Sequence, residues 1–162
     1  MTSLIDKIQK IVKHAMEILD EIKMPENPAM IFDIDDTLID LNGIAIDPVV
    51  NLYNHVKILC ITPIIITNRT SEPLTMEYTK YQLEENKITD YYDIYFRNPE
   101  EMDFTKAKLD ARKIVAEKGF NTIMSIGDQI WDIGEYGGVG MLLPSHPRYV
   151  IPMDFNLSLY QI

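Results

Sequence analysis

Asp33 and Asp35 stand two residues apart in AMIFDIDDTLID (29–40), where an apolar run gives way to carboxylates. Two aspartates so placed could share the work of phosphoryl transfer. One can attack phosphorus and form an acyl phosphate. The other can protonate the leaving oxygen and then activate water. Such chemistry also needs a donor to the phosphoryl oxygens and positive charge around the transferred group. Thr67 in ITNR can serve as the donor, and Lys106 or Lys108 in FTKAKLDARK can supply the charge. GDQIWD adds Asp128 and Asp132. A cluster of Asp33, Asp35 and Asp128 is unfavourable alone, because carboxylates about 4 Å apart repel by roughly 4 kcal/mol at an effective dielectric constant of about 20. Oxygen donors with no His or Cys beside them point to a hard cation, and Mg²⁺ suits them best.

These groups act together only if the chain brings them to one edge. Short apolar runs at 29–34, 62–67, 92–96, 121–127 and 139–143 alternate with helix-like segments at 47–59, 72–86, 104–119 and, more briefly, 129–137. Strands apolar on both faces and separated by helices predict a doubly wound α/β domain with a parallel sheet. Apolar residues at Leu4, Ile8, Ile11, Ala15, Ile18 and Ile22 predict an additional N-terminal helix within residues 1–24, with Ser3 and Asp6 able to cap it. Pro48 and Pro73 suit first helical turns, and Gly119 suits a helix end. Ligands of such sheets bind beyond the strands' carboxyl ends. There the sequence places Asp33 and Asp35, then Thr67, Asn68 and Arg69, then Arg97, and finally Asp128, Gln129 and Asp132.

FDIDDTL, ITNR, the lysine-bearing helix and GDQIWD, in that order, resemble the haloacid dehalogenase superfamily of aspartate-dependent phosphatases. More narrowly, FDIDDTLID, YFRN, KLDAR, GDQIWD and LPSHPRYVIP resemble its acid phosphatase branch, subfamily IIIB, with class B and plant vegetative-storage-type members. The likeness spans about residues 29–152. It implies a catalytic core over 29–152 in one domain covering 1–162, with Asp33 as nucleophile and Asp35 as general acid/base. It implies Thr37 as support for the loop, Thr67 as phosphoryl ligand and a lysine stabilising the transferred charge, for which Lys108 matches the family spacing better than Lys106. Asp33, the backbone carbonyl of Asp35, and Asp128 would hold Mg²⁺, with Asp132 nearby through water. Asp36 and Asp40 receive no catalytic role. The connections 35–48 and 67–108 are too short for a substantial cap domain, so an open site is expected.

Asn68, Arg69 and Arg97 are candidates for substrate contact, each arginine having a surface ion pair as its alternative. Gln129 is expected to cap its loop and Trp131 to pack against the short helix. His14, His55 and His146 fall outside every motif. Cys60, the single cysteine, is expected to be a small buried hydrophobe and rules out an internal disulfide. The tyrosines of YTKYQ and DYYDIY are expected at the rim of the core.

At 162 residues with 46% hydrophobic and 25% charged composition, one globular domain is expected. No apolar run is long enough to span a bilayer, and the first residues lack a secretory h-region, so a cytoplasmic setting with no membrane partner is expected. The net charge of −10 disfavours nucleic acid as a partner. The leading expectation is a Mg²⁺-dependent phosphomonoester hydrolase acting on a phosphorylated small molecule. One alternative is a polynucleotide 3′-phosphatase acting on nucleic-acid ends, motivated by the open site, Arg97 and the basic helix. Another is a non-catalytic binding or storage protein on the same fold, against which retention of Asp33 argues. The N-terminal stripe is expected to pack on the domain, with a dimer contact as the alternative, so the oligomeric state stays open.

Overall fold

Helix α1 (Leu4–Glu21) begins with the reciprocal cap that Ser3 and Asp6 allow: each side chain accepts from the other residue's backbone N–H. This is the first element of a computed structural model that describes residues 2–144. The stripe of α1 is buried at Ile8, Ile11, Val12, Ala15 and Leu19, and it packs on the domain through α2 (Asp47–Ile58). The tail motif from residue 145 onward, with His146, lies outside the described residues.

Five strands follow: β1 (Pro28–Phe32), β2 (Thr62–Thr70), β3 (Ile94–Arg97), β4 (Asn121–Gly127) and β5 (Val139–Leu142). All pairs are parallel, in the order β3-β2-β1-β4-β5. Side-chain alternation divides the core in two. Met30, Phe32, Ile65, Met124 and Ile126 face α1, α2 and α3 (Pro73–Glu85), while Ala29, Ile31, Ile64 and Ile66 face α4 (Phe104–Glu117) with Val115. Burial on both faces of β1 and β2 explains why those strands read as unbroken apolar runs. The doubly wound α/β expectation therefore holds.

The chain runs outward from β1 to β2 to β3, then returns through α4 to place β4 on the other side of β1. The carboxyl ends of β1 and β4 thus flank the crevice where winding reverses, the place such sheets offer a ligand. Pro48 and Pro73 lie in the first turns of α2 and α3, and Gly119 takes φ +95° just beyond α4. Between β1 and α2 the chain makes a tight turn and two isolated bridges. Among the described residues no segment is large enough to form a separate cap.

Two expectations change. Residues 129–137 form a single 3-10 turn, Ile130–Asp132, instead of a helix, because Gly134, Gly137 and Gly138 follow and two of them adopt positive φ. Cys60 is exposed, not buried: it occupies a left-handed position (φ +61°) where α2 turns towards β2. Tyr91 and Tyr95 pack at the core rim, whereas Tyr78 and Tyr81 are exposed.

Candidate active site

The tip of β1 is anchored before it turns. Asp33 N–H donates to Ile126 O at 3.1 Å, extending the ladder with β4 by one residue. Ile34, Leu38 and Ile39 are fully buried, and the N–H groups of Thr37, Leu38 and Ile39 converge on Ile34 O at 2.9–3.1 Å. Period-two alternation sends Ile34 inward and leaves Asp33 and Asp35 on the cleft side. The same turn carries Thr37 back under Asp33, where its hydroxyl donates to Oδ2 at 3.2 Å. Asp40 closes the following turn by accepting from Asn42 and Ile44 N–H at 2.8 and 3.0 Å, a local structural task.

Lys108 approaches from the opposite face. Its Nζ reaches Asp33 Oδ1 at 2.9 Å, Ile66 O at 2.7 Å and Asp132 Oδ1 at 2.7 Å, and the residue is only 2% exposed. Lys106, two residues earlier, points to solvent and pairs with Asp110 at 2.6 Å and Glu101 at 3.4 Å. Its spacing to Asp110 is an ordinary helix-surface pair. Helical geometry therefore separates the two lysines, with Lys108 at the site.

At the tip of β4, Asp128 follows Gly127 and the chain enters the 3-10 turn. Asp132 Oδ2 accepts from Gln129 N–H at 2.9 Å, so Gln129 caps the turn through its backbone, while its amide meets Asp128 Oδ2 at 3.2 Å. A Cβ on Gly127 would lie 2.2 Å from the Asp132 side chain, so only glycine admits Asp132 here. Arg112, one helical turn beyond Lys108, donates to Trp131 O at 2.8 Å and Glu135 O at 2.7 Å. It ties the loop after β4 to α4. Arg112 of KLDAR carries no role in the sequence motifs alone; its four-residue spacing from Lys108, which puts both on one helix face, is the signal that points to it.

Asp33, Asp128 and Asp132 each bring an oxygen within 4.8 Å of the others, and all three are buried. Burial, then the Asp33 and Asp132 charges, push the Asp128 carboxyl up to about 9. Burial and Asp33 raise Asp132 to about 7 against the pull of Lys108. For Lys108 burial pulls the ammonium down, but Asp132 and Asp33 outweigh it and hold its pKa above the ordinary lysine value. Ionising all three carboxyls would set three negative charges against the Lys108 ammonium on oxygen-only donors, and the raised values record that repulsion. That donor set fits a divalent hard cation.

The tip of β2 supplies Thr67, buried, whose hydroxyl accepts from Arg69 N–H at 3.1 Å. Phe32 pairs with Ile65, so Thr67 lies beside the β1 turn that follows Asp33. Arg69 grips Asp35 with two N–H groups, Nε to Oδ2 at 3.0 Å and Nη2 to Oδ1 at 2.7 Å. Arg97 stands apart from the cleft: it donates to Asn68 O at 2.9 Å and Glu101 O at 2.7 Å and stacks over Phe104 at 4.6 Å. A cleft of about 240 Å³ is lined by Asp33, Asp35, Asn68, Arg69, Asp128 and Gln129, with Phe104 and Trp131 as an aromatic wall. Trp131 meets Phe104 edge-on at 5.6 Å. Phe104 was not singled out from sequence, since one exposed aromatic at a helix start carries no signal. Thr37, Lys108 and Asp132 lie beneath the cleft, touching Asp33 or one another.

An Asp-x-Asp at the end of the central strand, a buried lysine from the return helix and aspartates at the switch point, on this strand order, define a haloacid dehalogenase-like α/β protein. The family model described as HAD superfamily, subfamily IIIB (acid phosphatase) matches residues 40–151, and the chain belongs to that family. The match begins after Asp33 and Asp35. Among solved structures, the class C acid phosphatase from Bacillus anthracis is similar at TM-score 0.66 and 13% identity, over 80% of this chain and 64% of that one. The same enzyme described with tungstate bound is similar at TM-score 0.62 and 13% identity, over 80% of this chain and 63% of that one. The chain thus spans less than two thirds of the length of those structures. No curated protein matches the sequence. Among the described residues no helix is long and apolar enough to cross a membrane.

Proposed function

We propose that the protein is a Mg²⁺-dependent phosphomonoester hydrolase that works through an aspartyl phosphate on Asp33. The observation that carries this reading is the Asp33 carboxylate, buried at the cleft floor between the Thr37 hydroxyl and the Lys108 ammonium, with Asp35 lining the same cleft. Asp33 attacks phosphorus as the bond to the leaving oxygen breaks, and the Asp35 carboxyl gives that oxygen its proton. Asp35 then takes a proton from water, whose oxygen attacks phosphorus and releases phosphate and the Asp33 carboxylate. Thr67 and Lys108 stabilise the phosphoryl charge in both steps. Asp33 and Asp128, with the backbone carbonyl of Asp35 and with Asp132 through water, would hold Mg²⁺, which when bound supplies positive charge to offset the carboxylates and phosphoryl oxygens.

Family membership supports this chemistry, and the tungstate in the similar class C enzyme's description, a tetrahedral oxyanion shaped like phosphate, supports a phosphoryl site. A cleft of about 240 Å³ suits a phosphoryl group with a small substituent, so a phosphorylated small molecule is the substrate class. The test is phosphate release from a phosphomonoester panel with Mg²⁺ or EDTA, wild type beside Asp33→Asn. Turnover should need metal and fall by about 10³-fold or more in the variant. Equal activity in EDTA, or an active Asp33→Asn protein, overturns the proposal.

A further inference from the structure

We propose that Arg69 is a positioning residue that holds the Asp35 carboxyl in the orientation for proton transfer, braced from α3 by Thr79. The inference rests on the phosphatase reading and extends it to a group outside the reacting atoms.

Asp35 is the exposed partner of the pair: its side chain is 50% accessible against 16% for Arg69. An aspartate so open to water would sample several rotamers, and a general acid misplaced by about 1 Å can lose about 10²-fold in rate. Arg69 removes that freedom. Its Nε and Nη2 meet the two Asp35 oxygens at 3.0 and 2.7 Å, a planar fork that fixes the position and plane of the carboxyl, each oxygen retaining a second lone pair for the proton it exchanges. The guanidinium is itself fixed. Its Nη1 donates to Thr79 Oγ1 at 3.1 Å, and the fully buried Thr79 hydroxyl donates onward to Thr75 O at 2.7 Å, leaving a lone pair for Arg69. The Arg69 main-chain N–H is tied to Thr67 Oγ1 at 3.1 Å. The chain of contacts therefore runs from α3 through Arg69 to the acid, joining residues 34 apart in sequence.

The competing role is an anion clamp on the substrate phosphoryl group. Against it, three of the five guanidinium N–H donors, one on each nitrogen, already meet protein acceptors, and Lys108 is the cation placed on Asp33. A plain surface ion pair would need neither the bidentate geometry nor a buried threonine behind it.

Leaving-group dependence separates these roles, because a poor leaving group needs its proton and a good one does not. The experiment measures kcat/KM, which reports on steps up to leaving-group departure, for ethyl phosphate and 4-nitrophenyl phosphate with Mg²⁺. The inhibition constant of inorganic phosphate is measured alongside. Wild type, Asp35→Asn, Arg69→Met, Thr79→Val and the Asp35→Asn/Arg69→Met double variant are compared. Asp35→Asn should lose about 10²–10⁴-fold on ethyl phosphate. Arg69→Met should lose about 10–10²-fold on ethyl phosphate and only about threefold on the aryl ester, with phosphate inhibition unchanged. Thr79→Val, which removes the brace and keeps the shape, should show the same bias more weakly. The double variant should be no worse than Asp35→Asn on ethyl phosphate. Equal losses on both esters, a weakened inhibition by phosphate, or additive effects in the double variant each overturn the inference. Should Arg69→Met fail to fold, an unbiased Thr79→Val overturns it alone. A wild-type protein inert towards both esters overturns the phosphatase reading, and the inference falls with it.

Discussion

Replacing Lys108 with methionine removes the ammonium that touches Asp33 at 2.9 Å and Asp132 at 2.7 Å while keeping a side chain of similar length. Cavity formation is thereby kept small, and the effect isolates charge. Breaking a buried ion pair by deleting one partner costs about 3–5 kcal/mol, because the remaining charges lose their compensation. Against a total stability of about 5–15 kcal/mol, the metal-free variant should sit near the edge of folding at pH 8. The pH dependence has a definite sign. Asp128 and Asp132 are raised above the ordinary carboxylate value, so between about 4 and their raised values, about 9 and about 7, the native state binds more protons than the unfolded chain. Stability therefore falls as pH rises through that window. Lys108 lowers Asp132, so its loss raises that group further and steepens the fall. Urea unfolding followed by far-ultraviolet circular dichroism, at pH 5.5 and 8 in EDTA or Mg²⁺, measures this. The variant's deficit should be largest at pH 8 in EDTA and smaller at pH 5.5. Mg²⁺ should recover about 2.7 kcal/mol when present at a hundred times its dissociation constant. Identical midpoints for variant and wild type at pH 8 in EDTA would refute the electrostatic account of the cluster.

Three further outcomes are expected. Asp128→Asn should weaken Mg²⁺ binding by at least about tenfold in titration calorimetry, and an unchanged affinity would remove Asp128 from the ligand set. In the wild type, Mg²⁺ affinity should rise with pH up to about 9 and binding should release protons, since the cation must displace those held by the raised Asp128 and Asp132 carboxyls; a pH-independent affinity contradicts this. Gly127→Ala should destabilise the fold by about 1–3 kcal/mol and reduce turnover, because the new Cβ meets Asp132 at 2.2 Å. Thermal unfolding and phosphate release read the two effects.

The parallel sheet was legible chiefly in β1 and β2, because burial on both faces leaves an apolar run that needs no knowledge of neighbours. Asn121–Gly127 coincides with the expected strand, and the Ser3–Asp6 cap and the placement of Pro48 and Pro73 follow from local backbone chemistry. The short helix-like segment after β4 is held to one 3-10 turn by the three closely spaced glycines that follow it. Cys60 was misplaced because its type suggests burial, whereas its position at a helix end put it in a left-handed turn facing solvent.

The candidate site divides along the same line. Residue type and order along the chain sufficed to nominate Asp33, Asp35, Thr67, Lys108, Asp128 and Asp132, because each follows a strand or lies on the helix feeding one. Which lysine enters the site depended on the phase of α4 against the sheet, and only packing decides a helix's rotation. The partners of Arg69 and Arg97 were equally beyond the sequence. Both arginines follow strands and look alike in one dimension, yet one meets Asp35 and Thr79 and the other meets backbone carbonyls beside Phe104. Long side chains find their acceptors only after the strands are in register. Local chemistry names the groups at a sheet edge; the three-dimensional arrangement decides which of them touch.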